Sequence, residues 1–224
     1  MNLQELPVLF QRGSVRRLTA RVTAKGLVVR APARMSSVQV ETWLRQIRPK
    51  LERRLARTPF HLIHVPHEMS GGASVRLLDT LFQILCEEKP RSSVRVLADT
   101  IYLKGPSDLK RKRALERWCI RRLHEEAEPL ARTFAKQLDV SFEKLLIRSY
   151  RSRLGACSSD GKLQLHWGII FLPRVYREAI IAHEVAHIRA PHHQADFWKT
   201  VEELAPGAHG LHSDLRKIGP FLFF

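Results

Sequence analysis

The chain has 224 residues, 44% of them hydrophobic, enough for a real core in one domain or two small ones. Its formal charge of +16 leaves two readings open: an anionic partner such as DNA, RNA, nucleotide or acidic protein, or a generally basic surface. No apolar run reaches the roughly 18 residues of a membrane span, and Cys86, Cys119 and Cys157 are too widely spaced for a disulfide framework or a cysteine-type zinc ribbon.

Met1 to Arg12 lacks a basic stretch followed by an apolar one, so no secretory signal is expected and a cytoplasmic location is. Residues 14–31 read as a β-hairpin: Val15, Leu18, Ala20 and Val22 alternate imperfectly, Ala24-Lys25-Gly26 turns, and Leu27 to Ala31 returns. Ser36 to Gln39 forms an S-x-x-Q capping box. The helix behind it carries Val40, Trp43, Leu44, Ile47, Leu51 and Leu55 on one face, and Pro49 predicts a kink or a break. Its other face holds Arg45, Arg48, Lys50, Arg53, Arg54 and Arg57, either a solvated face or a phosphate-contact strip.

Residues 58–74 read as a loop; His61, His64 and His67 recur there every third position, weak ground for a second metal site. Val75–Leu85, Ser93–Leu97 and Thr100–Leu103 read as short strands, with Ala98-Asp99 turning the last pair. Ser107 is placed to cap a long helix reaching about Leu138, with Leu115, Trp118, Cys119, Leu123, Leu130 and Phe134 as its buried stripe and Pro129 as a kink. Within that stripe Cys119 is core. Ile147–Tyr150 and Lys162–Leu165 look like a strand pair around a loop from Arg153 to Gly161. Helices follow from about Pro173 and from Gln194 to Leu204, and the tail from Pro206 to Phe224 looks less regular. The expected division is a β-rich portion with a basic helix over 1–106 and a helical portion over 107–224, in an α+β fold.

The sequence His183-Glu184-Val185-Ala186-His187, with His193 beyond it, carries the chemistry. On a helix, residues i and i+4 project from one face, so His183 and His187 can share one metal at roughly 2.0–2.1 Å. A third ligand six residues later must come from outside the helix. Pro191 supplies the stop, since it lacks an N–H and biases Ala190 away from helical geometry. His193 has the spacing of metzincin-type sites, with Ala190 where those sites carry glycine; His192 is its rival and would need an earlier turn. Three protein ligands leave a fourth position for water, the catalytic arrangement. Glu184 then stands beside that water as general base, and the reaction class is hydrolysis.

The stretch from Arg151 to Trp198 resembles the YgjP-like metallopeptidase domain, a zincin group near the SprT and WLM families. The matching segments are Ser152-Arg153-Leu154-Gly155-Ala156-Cys157, Leu165-His166-Trp167, Pro173, His183 to Ile188, and His192-His193-Gln194-Ala195-Asp196-Phe197-Trp198. The resemblance implies a zincin-like fold, a single zinc on His183, His187 and His193, and Glu184 as acid/base. The chain departs from the family pattern at Leu154 (usually tryptophan), Ala156 (usually serine) and His166 (usually asparagine), and carries His192-His193-Gln194 for Asn-His-Ser. Arg153, His166 and His192 are the candidate substrate or transition-state contacts. Arg153 equally reads as a structural arginine, and Cys157 as a packing residue or a redox-sensitive gate.

Three functions compete on these grounds. The first is a zinc peptidase acting on protein or peptide, extended by analogy with SprT and WLM to proteins bound to DNA. The second is a zinc-dependent hydrolase of nucleotide phosphoanhydrides, its surplus cations holding phosphates. The third is a nucleic-acid-binding module with a structural zinc closed by Cys157, His209 or His212, the last two being distant tail residues. For the peptidase, the strand Lys162–Leu165 is the expected sheet edge beside the cleft, open to an extended peptide.

Overall fold

The computed structural model describes residues 3, 6–23, 26–59, 72–150 and 152–222. The expected turn residues Ala24 and Lys25 and the histidines His61, His64 and His67 lie outside these.

The first sheet is built from β1 (Val8–Gly13), β2 (Thr19–Thr23) and β3 (Gly26–Pro32), in the order β1-β3-β2. The β2–β3 hairpin is the expected one. β1, which the sequence reading missed, joins β3 in parallel. Because side chains alternate, the register sorts the faces: Thr19 and Arg21 stand opposite Arg30 and Val28, while Leu27, Val29 and Ala31 turn to the other side. That apolar side packs on Val40 and Leu44 of α1 (Ser37–Ala56). Ser36 caps α1 with the full reciprocal box to Gln39. The helix runs through Pro49 without breaking in two, since Pro49 is on the exposed side, where water can satisfy the carbonyl it orphans.

The segment expected as a strand over Val75–Leu85 is instead a hairpin, β4 (Ser74–Leu77) and β5 (Thr80–Glu88). Its turn is Leu78-Asp79, with φ of 48° and 67°. Two-residue turns of this hand usually take Asn-Gly or Asp-Gly, so leucine hid the signal. With β6 (Ser93–Leu97) and β7 (Thr100–Gly105) it makes a second sheet, β4-β5-β7-β6. α2 (Asp108–Gln137) starts at its Ser107 cap and passes through Pro129 as one helix; its alanines at 127 and 131 are fully buried, allowing close approach.

The third sheet contains β8 (Lys144–Arg148), β9 (Gly155–Cys157) and β10 (Lys162–His166), in the order β8-β10-β9. β10 is therefore central, parallel to β8 and antiparallel to β9, and the expectation of an edge at Lys162–Leu165 is corrected. The edge beside the site is β9, three small residues with too little pattern to announce a strand. A 3₁₀ turn (Trp167–Phe171) leads into α3 (Arg174–Arg189), followed by α4 (Ala195–Leu204) and α5 (Ala208–Leu222).

α5 corrects the reading of an irregular tail. Leu211, Leu215, Ile218 and Leu222 keep helical spacing, masked in the sequence by Gly210, Gly219 and Pro220. Glu202 accepts from the backbone N–H groups of Gly207 and His209, both at 2.7 Å, which secures the entry to α5.

The largest core joins β4, β5 and β7 to α2–α5, and a small cluster of Leu3, Leu55 and Phe221 ties α1 to α5. Arg177, 2% exposed, pins the start of α3. It donates to Glu126 of α2 at 2.8 Å, to Asp79 of the β4–β5 turn at 3.0 Å, and to the Leu172 carbonyl. Asp79 also accepts from the Arg174 N–H at the first turn of α3, at 3.2 Å. No described helix is long and apolar enough to cross a membrane.

Candidate metal centre and active-site cleft

α3 stops where the sequence predicts. Ala190 leaves helical geometry with φ −131° and ψ 94°, immediately before Pro191, and the chain turns back. This brings Nε2 of His193 to 3.0 Å from Nε2 of His183, and ligand nitrogens of His183, His187 and His193 all lie within 4.8 Å of one another. Two nitrogens on a tetrahedral zinc would stand roughly 3.3 Å apart, so the trio is within reach of one such ion. His192 is exposed and outside the trio, and among the described residues no fourth cysteine, histidine or carboxylate joins it.

Phe197, fully buried on α4, is the floor of the site. Its ring centroid lies 4.8, 4.6 and 4.7 Å from those of His183, His187 and His193. Burial, then the neighbouring histidines, lowers the His183 pKa to about 3, and burial followed by His193 lowers that of His187. Both rings are thus held neutral, the form that offers a lone pair to a cation. Three imidazoles suit zinc as a donor set.

Glu184 is 6% exposed, and its side chain lies against the backbone of Gly155 on β9. Burial pushes its carboxyl up to about 8, with the charge of Arg153 opposing. His183 and Glu184 both line a cleft of about 1000 Å³. One wall of this cleft is the polar face of the first sheet and the other is formed by α3, α4 and α5.

The remaining candidates separate. Arg153 is exposed, stacks over the Tyr150 ring at 4.5 Å, donates to Gln164 Oε1 at 3.4 Å, and is close enough for its charge to act on Glu184. His166 is fully buried and does not line the cleft. Its Nδ1 accepts from the Gly168 N–H at 2.9 Å, and burial, partly offset by a hydrogen bond with the Tyr150 backbone, lowers its pKa to about 4. Cys157 is half-buried, its thiol pushed up by burial and by Glu184, whereas Cys119 is fully buried and raised to about 12.

The sequence reading missed an aromatic tier beside the metal site. His212 on α5 lies parallel to His183, with centroids 5.8 Å apart and planes 5° apart. Trp198 meets His212 at 5.0 Å and His209 at 4.3 Å. The placement of His209 and His212 as remote from the site is therefore corrected: α5 folds them back. The helical spacing from Leu211 to Leu222 was the signal that could have found them.

Comparison with known proteins agrees with this chemistry. No curated protein matches the chain. The metallopeptidase zymogen abylysin of Pyrococcus abyssi aligns over 39% of this chain and 89% of its own, at 25% identity and a TM-score of 0.36. The model of one family, described as the YgjP-like metallopeptidase domain, matches residues 16–218. That match takes in β2 and β3 as well as the histidine helix, and the chain accordingly belongs to the YgjP-like metallopeptidase domain family.

Proposed function

We propose that this metallopeptidase is zinc-dependent, that His183, His187 and His193 hold the ion, and that Glu184 is its proton carrier. The observation carrying this reading is the convergence of three imidazole nitrogens within 4.8 Å of one another beside a buried glutamate that opens on the same cleft. A zinc ion held by this trio supplies Lewis acidity, polarising a carbonyl and acidifying water.

The protein's own residues do the rest. A carboxylate oxygen of Glu184 takes a proton from the attacking water and later delivers it to the leaving amine nitrogen. Burial in the α3–β9 contact raises the proton affinity of Glu184, and a bound cation beside it would lower it. Arg153, exposed and close enough for its charge to act on Glu184, moderates this shift and can meet a substrate oxygen. β9 is the terminal strand of its sheet, so an extended substrate has an edge to pair with there.

The test compares the zinc-loaded protein with its Glu184→Gln variant on casein, at matched zinc content. Cleavage that falls by about 10²–10⁴-fold in the variant supports the assignment; cleavage at the same rate removes Glu184 from the mechanism.

A further inference from the structure

The cleft that holds Glu184 has an arginine wall. Arg21 of β2, Arg30 of β3, Arg54 of α1 and Arg216 of α5 all line it, and Glu184 is the one carboxylate among its described lining residues. The strand register explains the first two. Arg21 faces Val28 and Arg30 faces Thr19 on the polar side of the sheet, whose apolar side is used up on α1. Arg216 extends the wall toward the metal centre: its charge acts on His212, which stacks on His183.

Elsewhere arginines that approach a carboxylate pair with it. Arg111 pairs with Asp108, Arg132 with Glu128, and Arg177 with both Asp79 and Glu126. None of the four cleft arginines has a carboxylate within 4.0 Å among the described residues. The partner seen is neutral: Arg30 donates from Nε to Gln11 Oε1 at 2.9 Å, which orients the guanidinium. Four guanidinium groups lining one cleft attract an anionic ligand.

We propose that Arg21, Arg30, Arg54 and Arg216 bind acidic side chains of an extended polypeptide, so that this peptidase selects substrates with a glutamate- or aspartate-rich stretch beside the cleaved bond. The inference rests on the peptidase reading of the His183–Glu184 centre. Guanidinium forks match carboxylates in paired hydrogen bonds. A cleft of about 1000 Å³ accommodates a short extended chain. Among its described lining residues Trp198 is the one Phe, Tyr or Trp, and it is already packed against His183, His209 and His212 rather than free to stack on a base.

The experiment uses a fluorescent peptide with glutamates on both sides of its centre and its counterpart with glutamines in their place. Binding is measured on zinc-loaded Glu184→Gln protein, and cleavage on the zinc-loaded wild type. The glutamate peptide should bind about a hundredfold more tightly, with strong salt dependence. Arg21→Gln/Arg30→Gln and Arg54→Gln/Arg216→Gln should each reduce that preference about tenfold, at matched melting temperature and zinc content. Equal binding of the two peptides overturns the inference, as does a preference that survives in both paired variants. Single-stranded DNA that binds more tightly than the glutamate peptide and displaces it also overturns it, giving the wall to nucleic acid. If casein and both peptides stay intact while the glutamate peptide still binds through the arginines, the peptidase reading fails and the anion wall stands. If both peptides are cut and bound alike, the wall fails and the peptidase reading stands.

Discussion

Gly155 and Glu184 are in such close contact that a Cβ on residue 155 would fall 2.6 Å from the Glu184 Cδ and 2.7 Å from its Cγ. The glycine is required here by packing rather than by backbone angle: it lets β9 lie directly on the glutamate. Gly155→Ala must therefore displace the whole Glu184 side chain while leaving the three histidines in place. Peptide cleavage should fall about tenfold to a hundredfold with zinc content unchanged. Full activity in Gly155→Ala would mean that the observed position of Glu184 is not the working one.

The proposed metal trio makes a sharp contrast between adjacent histidines. His193 meets His183 at 3.0 Å, whereas its neighbour His192 is exposed and outside the cluster. Elemental analysis should find a single zinc in the wild type and in His192→Ala, and none in His183→Ala/His187→Ala. His193→Ala should weaken binding enough for a mild chelator to strip the ion. Zinc lost in His192→Ala and kept in His193→Ala would reverse the assignment of the third ligand.

Arg177 links α2 and the β4–β5 turn to the start of α3. Its partners Glu126 and Asp79 are partly exposed and can rehydrate, but the buried Leu172 carbonyl loses its donor if the guanidinium goes. Arg177→Met should cost about 3 kcal/mol of stability by urea denaturation. A change below about 0.5 kcal/mol, typical of surface positions, would show that this network does not anchor α3.

His166 gives the fold an acid-sensitive point. Burial holds its ring at about 4, below the ordinary 6.5, so the folded state resists the proton that the unfolded chain accepts. Its contribution is fully present above 6.5 and is lost as pH falls through the folded value. That contribution is about 3 kcal/mol. His166→Asn, which keeps a side-chain oxygen to accept from the Gly168 N–H, should flatten the decline in stability between these pH values. An unchanged acid limb would place the sensitivity elsewhere.

The local signals that the sequence carried well are those whose physics is short-range. The Ser36 capping box, the Ser107 cap, the stop at Ala190 before Pro191 and the i, i+4 histidines each depend on a few neighbouring residues, and each has the expected geometry. What stayed hidden depends on partners far along the chain. β1 joins the first sheet in parallel with β3, and β10 is central because three small residues of β9 add beside it. His212 reaches His183 only because α5 folds back, and the arginine wall needs two strands and two helices to assemble. Position 166 was singled out for differing from the family pattern, yet its ring is buried outside the cleft lining, where it caps a turn.

The central claim is that Glu184 moves the proton in a peptidase centre held by His183, His187 and His193. The most direct measurement is the rate of casein cleavage by wild type and Glu184→Gln, each carrying the same amount of zinc. The wild type should cleave casein and the variant should lose about 10²–10⁴-fold of that rate. Equal rates, or no cleavage by zinc-loaded wild type, would contradict it.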